Sequence, residues 1–170
     1  MLEKIITTFK EKQRHYIFQE IMEKFNELAT DKNGLCVLKK LIQHTKDEGS
    51  QKQVVDKILQ NDKGLEYVQN AFGNFVVSEV LNQFSFSICQ DIFYSMKSHF
   101  VKLSQNKFAS KFIEVCIDRA PIGIQDEIVA EFCESSDLNR VVQSQFGNFV
   151  LQNSIASQNS PKQQGYCKTE

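Results

Sequence analysis

The chain has 170 residues, of which 41% are hydrophobic, and its formal net charge is −1. A chain of this length can bury a substantial core. The high hydrophobic content and the presence of only two prolines argue against extensive disorder. The near balance of charge argues against a protein that binds polyanions non-specifically. Charged residues interrupt the N-terminal segment, and no stretch approaches the roughly 20 apolar residues that span a bilayer. We therefore expect a soluble, cytoplasmic protein without a signal peptide.

The chain contains an odd number of cysteines and no closely spaced pair of them. They are Cys36, Cys89, Cys116, Cys133 and Cys167. Disulfide frameworks and zinc sites use paired or regularly spaced cysteines, whereas isolated cysteines in a reducing compartment behave as small buried hydrophobes. The pattern predicts buried, reduced thiols.

Apolar residues recur at helical spacing in a series of short segments. We predict helices over residues 1–9, 15–28, 35–42, 54–59, 65–69, 74–82, 88–95, 100–103, 110–116, 125–132, 138–142 and 148–155. In the second helix the expected inward residues are Tyr16, Ile17, Ile21, Met22, Phe25 and Leu28. Turn-forming residues at 31–34, 119–123 and 135–137 indicate breaks. Residues from 157 onward are polar and predict a disordered tail.

One motif occurs twice in full and twice in degenerate form. Residues 72–77 read Phe-Gly-Asn-Phe-Val-Val and residues 146–151 read Phe-Gly-Asn-Phe-Val-Leu, while 32–38 and 107–113 are weaker copies. Successive copies lie 36 to 39 residues apart, which is a period typical of solenoids. Helices this short are unstable alone, so stacked neighbours must share a core. The repeat predicts an all-α solenoid.

The helix after each motif carries a pair of side chains four residues apart, which therefore lie on one helical face. The pairs are Leu35/Lys39, Asn74/Ser78, Ser110/Glu114 and Asn148/Gln152, with Cys36, Phe75, Lys111 and Phe149 flanking them. Ordinary solvent-facing residues, with the Phe rings in the core, would explain a single helix. Three polar pairs at one phase instead indicate a ladder of hydrogen-bonding groups, since a merely solvated face favours Lys and Glu.

These units resemble Pumilio-type (PUF) repeats, most closely in residues 106–116 and 145–152, and the resemblance covers about 16–155. It implies a right-handed α-solenoid, an armadillo-like superhelix of about four repeats. The implied repeats span 13–48, 49–84, 85–121 and 122–157, after a remnant helix at 1–12 and before a disordered polar tail at 158–170.

The resemblance also implies which side chains contact RNA. The implied base-edge residues are Asn74, Ser78, Ser110, Glu114, Asn148 and Gln152, and the implied stacking residues are Phe75, Lys111 and Phe149. The carboxylate of Glu114 only accepts hydrogen bonds and suits the donors of guanine, whereas two amides suit uracil. Ser78 is shorter than the expected Gln. The first repeat, with Leu35, Cys36 and Lys39, is a weak or degenerate unit.

The implied function is sequence-specific binding of single-stranded RNA, one base per repeat, at a UGU-type element of mRNA 3′ untranslated regions. Such proteins regulate messages after transcription, with translational repression or mRNA decay factors as partners. The alternative is a helical-repeat scaffold for proteins, like armadillo arrays, whose RNA-reading face has degenerated. Ser78 and Leu35 favour this alternative, and the pairs at 110/114 and 148/152 favour RNA.

No enzyme motif accompanies these residues. The sequence has no nucleophile elbow, phosphate-binding glycine loop or zinc-protease motif. His15, His44 and His99 lie far apart, and Cys116 falls on the apolar side of its helix. We expect no catalytic activity, cofactor, metal, membrane contact or small-molecule substrate.

Overall fold

The computed structural model describes residues 11–158, with side chains from His15 to Ser154. Within this range the regular structure is helical. The helices are α1 (Glu11–Glu23), α2 (Phe25–Ala29), α3 (Lys32–His44), α4 (Glu48–Leu59), α5 (Lys63–Gln69), α6 (Gly73–Gln83), α7 (Phe86–Met96), α8 (Phe100–Ser104), α9 (Ala109–Arg119), α10 (Ile122–Glu134), α11 (Leu138–Gln143) and α12 (Gly147–Gln158). A 3₁₀ turn (Gln60–Asp62) joins α4 to α5. The helix expected at residues 1–9 lies outside the described range, as does most of the expected tail.

The helices recur in one order along the chain. A long helix comes first, a short helix follows, and the helix that begins at the repeated motif is third. We call α3, α6, α9 and α12 the motif helices. They follow the short helices α2, α5, α8 and α11 after two to four intervening residues. Three helices are therefore present in each of the later three repeats, as predicted, and also in the first repeat, for which only two were predicted.

A side-chain cap precedes each motif helix at the same place. The Oδ1 atoms of Asp31, Asn70 and Asn106 accept hydrogen bonds from the backbone N–H groups two and three residues later, at 2.8 to 3.1 Å. The hydroxyl of Ser144 does the same at 3.2 and 3.3 Å. Capping satisfies N–H groups that have no partner within the helix. These side chains therefore define where each motif helix begins.

The glycine of the motif permits close contact between helices. A Cβ atom on Gly34 would lie 2.4 Å from the carbonyl oxygen of Leu28, and one on Gly73 would lie 2.7 Å from that of Tyr67. Neither glycine has a positive φ. The break predicted at residues 31–34 includes Asp31 but is too long, because Lys32 already belongs to α3 and Gly34 is a close-packing position inside the helix.

The first compact unit extends to Met96 and contains α1–α7. In it α3 packs against α2 and α6, while α4 packs against α7. Val76, Val77, Val80 and Leu81 of α6 are buried as predicted. The Tyr67 hydroxyl donates a hydrogen bond to Asn26 Oδ1, which ties the second repeat to the first. Burial raises the pKa of Tyr67 to about 12.

The second compact unit begins at Lys97 and contains α8–α12. Its two motif helices, α9 and α12, pack side by side, and α8 packs against both α9 and α10. Glu131 of α10 accepts hydrogen bonds from the backbone N–H groups of Ser98 and Val101, at 2.9 and 3.3 Å. This carboxylate holds the turn before α8, where Ser98 adopts a left-handed φ of 68°.

Several predicted details differ from the structure. The helix predicted over 15–28 is broken at Lys24, where ψ is 11°. Tyr16 is 66% exposed rather than inward, and Phe18 is buried in its place. The predicted break at 119–123 is shorter, since α10 begins at Ile122 directly after Pro121. The last helix continues to Gln158, so residues 157 and 158 are helical rather than tail.

The cysteine prediction is confirmed in part. Cys89 and Cys116 are buried, but Cys36 and Cys133 are exposed, and these four cysteines form no disulfide bond. Cys36 lies outside the core because it flanks the apolar face of α3, and Cys167 falls outside the described residues. No helix in the described range has the length and hydrophobicity to cross a membrane.

Candidate nucleic-acid interface

The fourth repeat presents the most accessible predicted triplet, on α12. The Phe149 ring is 61% exposed, although burial would be the ordinary place for so large an apolar side chain. Gln152 Nε2 donates to Asn148 Oδ1 at 2.9 Å. This hydrogen bond orients both amides and leaves the Asn148 amide nitrogen and the Gln152 amide oxygen to face a ligand. A donor beside an acceptor matches the mixed edge of a pyrimidine.

The third repeat places two charged side chains together on α9. Lys111 Nζ lies 2.7 Å from Glu114 Oε2, with the two side chains 63% and 20% exposed. Ser110 is buried at 7% exposure, and its hydroxyl donates to the Lys107 carbonyl at 3.4 Å. The Lys107 ammonium lies 5.6 Å from the centroid of the Phe108 ring. The third repeat therefore carries a carboxylate, that of Glu114, which forms an ion pair with a lysine of the same helix.

The second repeat is the most enclosed of the three polar pairs. Asn74 is 2% exposed, because its Nδ2 donates back to the carbonyl oxygens of Asn70 and Ala71 at 2.8 and 3.1 Å. Ser78 is 8% exposed, and its hydroxyl has no hydrogen-bond partner. The ladder of hydrogen-bonding groups predicted along one surface is thus not exposed at Asn74, Ser78 or Ser110. The flanking Phe75 ring, by contrast, is 46% exposed as expected.

In the first repeat, the Lys39 ammonium forms an ion pair with a carboxylate of the second repeat. Lys39 Nζ on α3 lies 3.3 Å from Glu79 Oε2 on α6. Glu79 Oε1 also accepts hydrogen bonds from Gln43 and Gln83, both at 3.0 Å. Leu35 is half-buried, and Cys36 is exposed with its thiol 3.7 Å from the Lys32 carbonyl. Lys39 is therefore part of the contact between repeats.

The Glu79 carboxylate has a shifted pKa. Burial acts to raise it, but the hydrogen bonds from Gln43 and Lys39, the charge of Lys39 and the bond from Gln83 outweigh burial, so the net pKa lies below its ordinary value of 4.5. A lowered pKa in the folded state stabilises the protein above the pKa of the unfolded chain, and this stabilisation is lost as the pH falls through the folded value.

We therefore expect the wild-type protein to lose more stability in acid than a Glu79→Gln variant. The difference in thermal midpoint between the two proteins should be largest near pH 7 and should narrow below about pH 4.5. The effect should be modest, because Lys39 is partly exposed and screened by solvent. A difference that stays constant from pH 7 to pH 3 would show that the charge of Glu79 does not stabilise the fold.

Sequence reasoning located the triplets but missed the groups that support them. Glu79 contacts Gln43 and Lys39 of another helix, at least 36 residues away in the chain, and no local pattern indicates these two contacts. The four caps, however, stand three residues before Gly34, Gly73, Ala109 and Gly147, and that spacing is visible in the sequence. Among the described residues, no three His, Cys, Asp or Glu side chains gather as metal ligands.

Short amphipathic helices that recur at a fixed spacing, with polar and aromatic side chains at one phase, define a helical-repeat protein of the solenoid class. The model of the Pumilio-family RNA binding repeat matches residues 1–22, 24–59 and 99–133, which together make up more than half of the chain. The chain belongs to this family.

Curated relatives match over most of the chain. A Pumilio domain-containing protein of Schizosaccharomyces pombe is 27% identical over 159 residues, which cover 91% of this chain and 22% of that protein. Pumilio homolog 12 of Arabidopsis thaliana is 30% identical over 138 residues, covering 81% of this chain and 22% of that protein. The chain thus spans about a fifth of the length of these relatives.

Solved structures share the fold. The Puf4 RNA binding domain, bound to the HO endonuclease RNA 3′ UTR recognition sequence, superposes with a TM-score of 0.82 at 19% identity, covering 91% of this chain and 46% of that domain. PUF-8 in complex with PBE-RNA gives a TM-score of 0.81 at 20% identity, covering 95% and 48%. The fold is therefore that of the Puf solenoid domains, and this chain spans about half of each.

Proposed function

We propose that the protein binds single-stranded RNA in a sequence-specific manner, reads one base per repeat, and recognises a UGU-type element. The observation that carries the proposal is the recurrence of two polar side chains and a flanking side chain at one phase of the motif helices, with the rings of Phe75 and Phe149 exposed. Base stacking on an aromatic ring contributes roughly 1–3 kcal/mol per base in single-strand binders. Aromatic rings exposed at this phase of the motif helices would each provide a surface on which a base stacks.

Each repeat offers a different hydrogen-bonding pattern. The amides of Asn148 and Gln152 supply a donor and an acceptor for uracil, and the Glu114 carboxylate accepts from the N1–H and N2–H groups of guanine. Asn74 retains its Oδ1 atom and Ser78 its unpaired hydroxyl for a third base, which we assign as a less strictly read uracil. With RNA antiparallel to the chain, the order is 5′-UGU-3′.

Electrostatics fit recognition of bases rather than of the phosphate backbone. The formal net charge is −1, whereas binding through phosphates requires many cations. Stacking and base-edge contacts need fewer charges, and Lys107 and Lys111 are exposed beside the predicted guanine site. We propose a cytoplasmic, non-enzymatic regulator of mRNA that acts through untranslated regions together with repression or decay proteins.

A protein-interaction scaffold is the second candidate. It is favoured by the burial of Asn74 and Ser78 and by the pairing of Lys39 with Glu79, because these features leave the first two repeats with few groups for bases. On this alternative the motif helices would hold a partner protein and would not distinguish RNA sequences.

Titration into labelled RNA separates the two candidates. Three RNAs that differ only at the middle base, carrying UGU, UUU or UCU, should be bound with clear preference for UGU at physiological salt. The preference follows from the carboxylate of Glu114, which would face the acceptor oxygens of uracil and be repelled. Equal binding of all three, or binding of none, would overturn the sequence-specific proposal.

A further inference from the structure

The Lys111 ammonium is held at the edge of the predicted guanine site. Its Nζ atom lies 2.7 Å from Glu114 Oε2, one turn along α9. The resemblance gives position 111 the stacking place, which Phe75 and Phe149 occupy in the triplets of the second and fourth repeats. A lysine has no ring to stack, and its charge here is directed to the carboxylate that would contact the base.

We infer that Lys111 donates a hydrogen bond to guanine O6, which makes it a second specificity-determining residue of the third repeat. The inference rests on the proposed function and adds a residue to the same site. Guanine presents the O6 acceptor beside its N1–H and N2–H donors. A carboxylate alone satisfies the two donors and leaves O6 without a partner, whereas a carboxylate with an adjacent ammonium matches all three groups.

The geometry of the pair permits this contact. A carboxylate offers about four lone-pair positions, and the bond from Lys111 takes one of them on Oε2. Oε1 and the rest of Oε2 remain to accept from N1–H and N2–H. Because O6 is next to N1 on the guanine edge, an ammonium bonded to the oxygen that receives N1–H lies beside O6. Its three N–H donors can serve both partners.

The same pair rejects adenine at two points. Adenine carries an amino donor at the place of O6, where it would meet the ammonium, and its N1 is an acceptor that would meet the carboxylate. Removal of the Lys111 charge should therefore weaken discrimination against adenine as well as affinity for guanine. This outcome differs from the effect of a lysine that only attracts phosphates, which would weaken binding to all RNAs equally.

The test compares three proteins on RNAs that differ at one base atom. The proteins are wild type, Lys111→Met and Lys107→Met, and the middle base of UGU is guanine, 6-thioguanine or inosine. Sulfur in 6-thioguanine is a poor acceptor, but the base keeps N1–H and N2–H; inosine keeps O6 and lacks the amino group. Lys107 is a matched control, since it is an exposed lysine near the start of the same helix whose ammonium lies over Phe108.

Wild type should bind guanine about five- to tenfold more tightly than 6-thioguanine, a modest value for a hydrogen bond to a charged group because the pair is partly solvent-exposed. Lys111→Met should bind the two RNAs about equally, and Lys107→Met should keep the wild-type ratio. Inosine should weaken wild type and Lys111→Met by the same factor, because the N2–H contact belongs to Glu114. Circular dichroism will establish that each variant is folded.

A wild-type ratio of guanine to 6-thioguanine in Lys111→Met would overturn the inference, and so would a ratio near one in wild type that still prefers UGU to UUU. Either result leaves the proposed function standing. Equal binding of wild type to UGU and UUU RNAs would instead overturn both the inference and the proposed function.

Discussion

A Gly34→Ala substitution is expected to destabilise the protein by about 3 kcal/mol, at the upper end of the cost of overpacking a core. The added methyl group would lie 2.4 Å from the Leu28 carbonyl oxygen and 2.5 Å from its Cα atom. Both are backbone atoms, so no side-chain rotation relieves the clash, and α3 must separate from α2. In a helix, alanine is normally more favourable than glycine by roughly 0.5–1 kcal/mol. A loss of stability on this substitution would therefore indicate the steric clash. Urea denaturation of the two proteins measures the difference.

Gly49→Ala is the matched control for this prediction. Gly49 lies in the first turn of α4, and the nearest heavy atom to an added Cβ is 3.6 Å away, at ordinary contact distance. This variant should be as stable as wild type or slightly more stable. The close-packing account of the motif glycine would be contradicted by a Gly34→Ala protein that matches Gly49→Ala in its denaturation midpoint.

A Glu114→Gln substitution is expected to relax the preference for guanine, at a cost of about 1–3 kcal/mol in binding UGU, by analogy with bidentate contacts to bases. The glutamine amide has one oxygen to accept and a nitrogen that donates, so it cannot receive both N1–H and N2–H of guanine. It also releases Lys111 from its charged partner at 2.7 Å. Competition binding with UGU, UUU, UCU and UAU RNAs reads out the change in preference as a ratio.

Glu127→Gln provides a control with the same change of charge. Glu127 lies on α10, outside the motif helices, and its ion pair with Lys97 at 3.0 Å is exposed. This variant should keep the wild-type ratios among the four RNAs, with at most a uniform change in affinity. If Glu114→Gln retained the wild-type preference for guanine, the base-reading role of Glu114 would have to be abandoned.

The sequence was sufficient to locate the motif helices because a period of 36 to 39 residues and an apolar face are local properties. The buried face of α6 and the exposed rings of Phe75 and Phe149 agree with that pattern. The break at Lys24 was not predictable in the same way, since the apolar residues on either side of it keep helical spacing and only the backbone of one residue departs.

The details of the candidate site depended on contacts that no spacing encodes. Asn74 was expected to present its amide at the surface as a base-edge group, but the amide nitrogen donates to the carbonyl oxygens of the preceding turn. Lys39 reaches Glu79 because α3 and α6 pack side by side. Such pairings depend on how far a particular side chain reaches across the contact between two helices. The periodic pattern of the sequence indicates only which face of a helix is apolar.

The caps described above position the triplets of the motif helices, whereas the triplet residues themselves supply the hydrogen-bonding and stacking groups. Asp31, Asn70, Asn106 and Ser144 determine where each motif helix begins, and the residues that would touch RNA come four and eight positions later. The triplets accordingly vary from Leu35/Lys39 to Asn148/Gln152, while the cap accepts hydrogen bonds at the same two positions in every repeat. If each triplet reads one base as proposed, a substitution in one triplet would change the preference of that repeat alone and leave the fold unchanged. Substitution of a cap should have the opposite outcome, because it displaces a whole triplet at once.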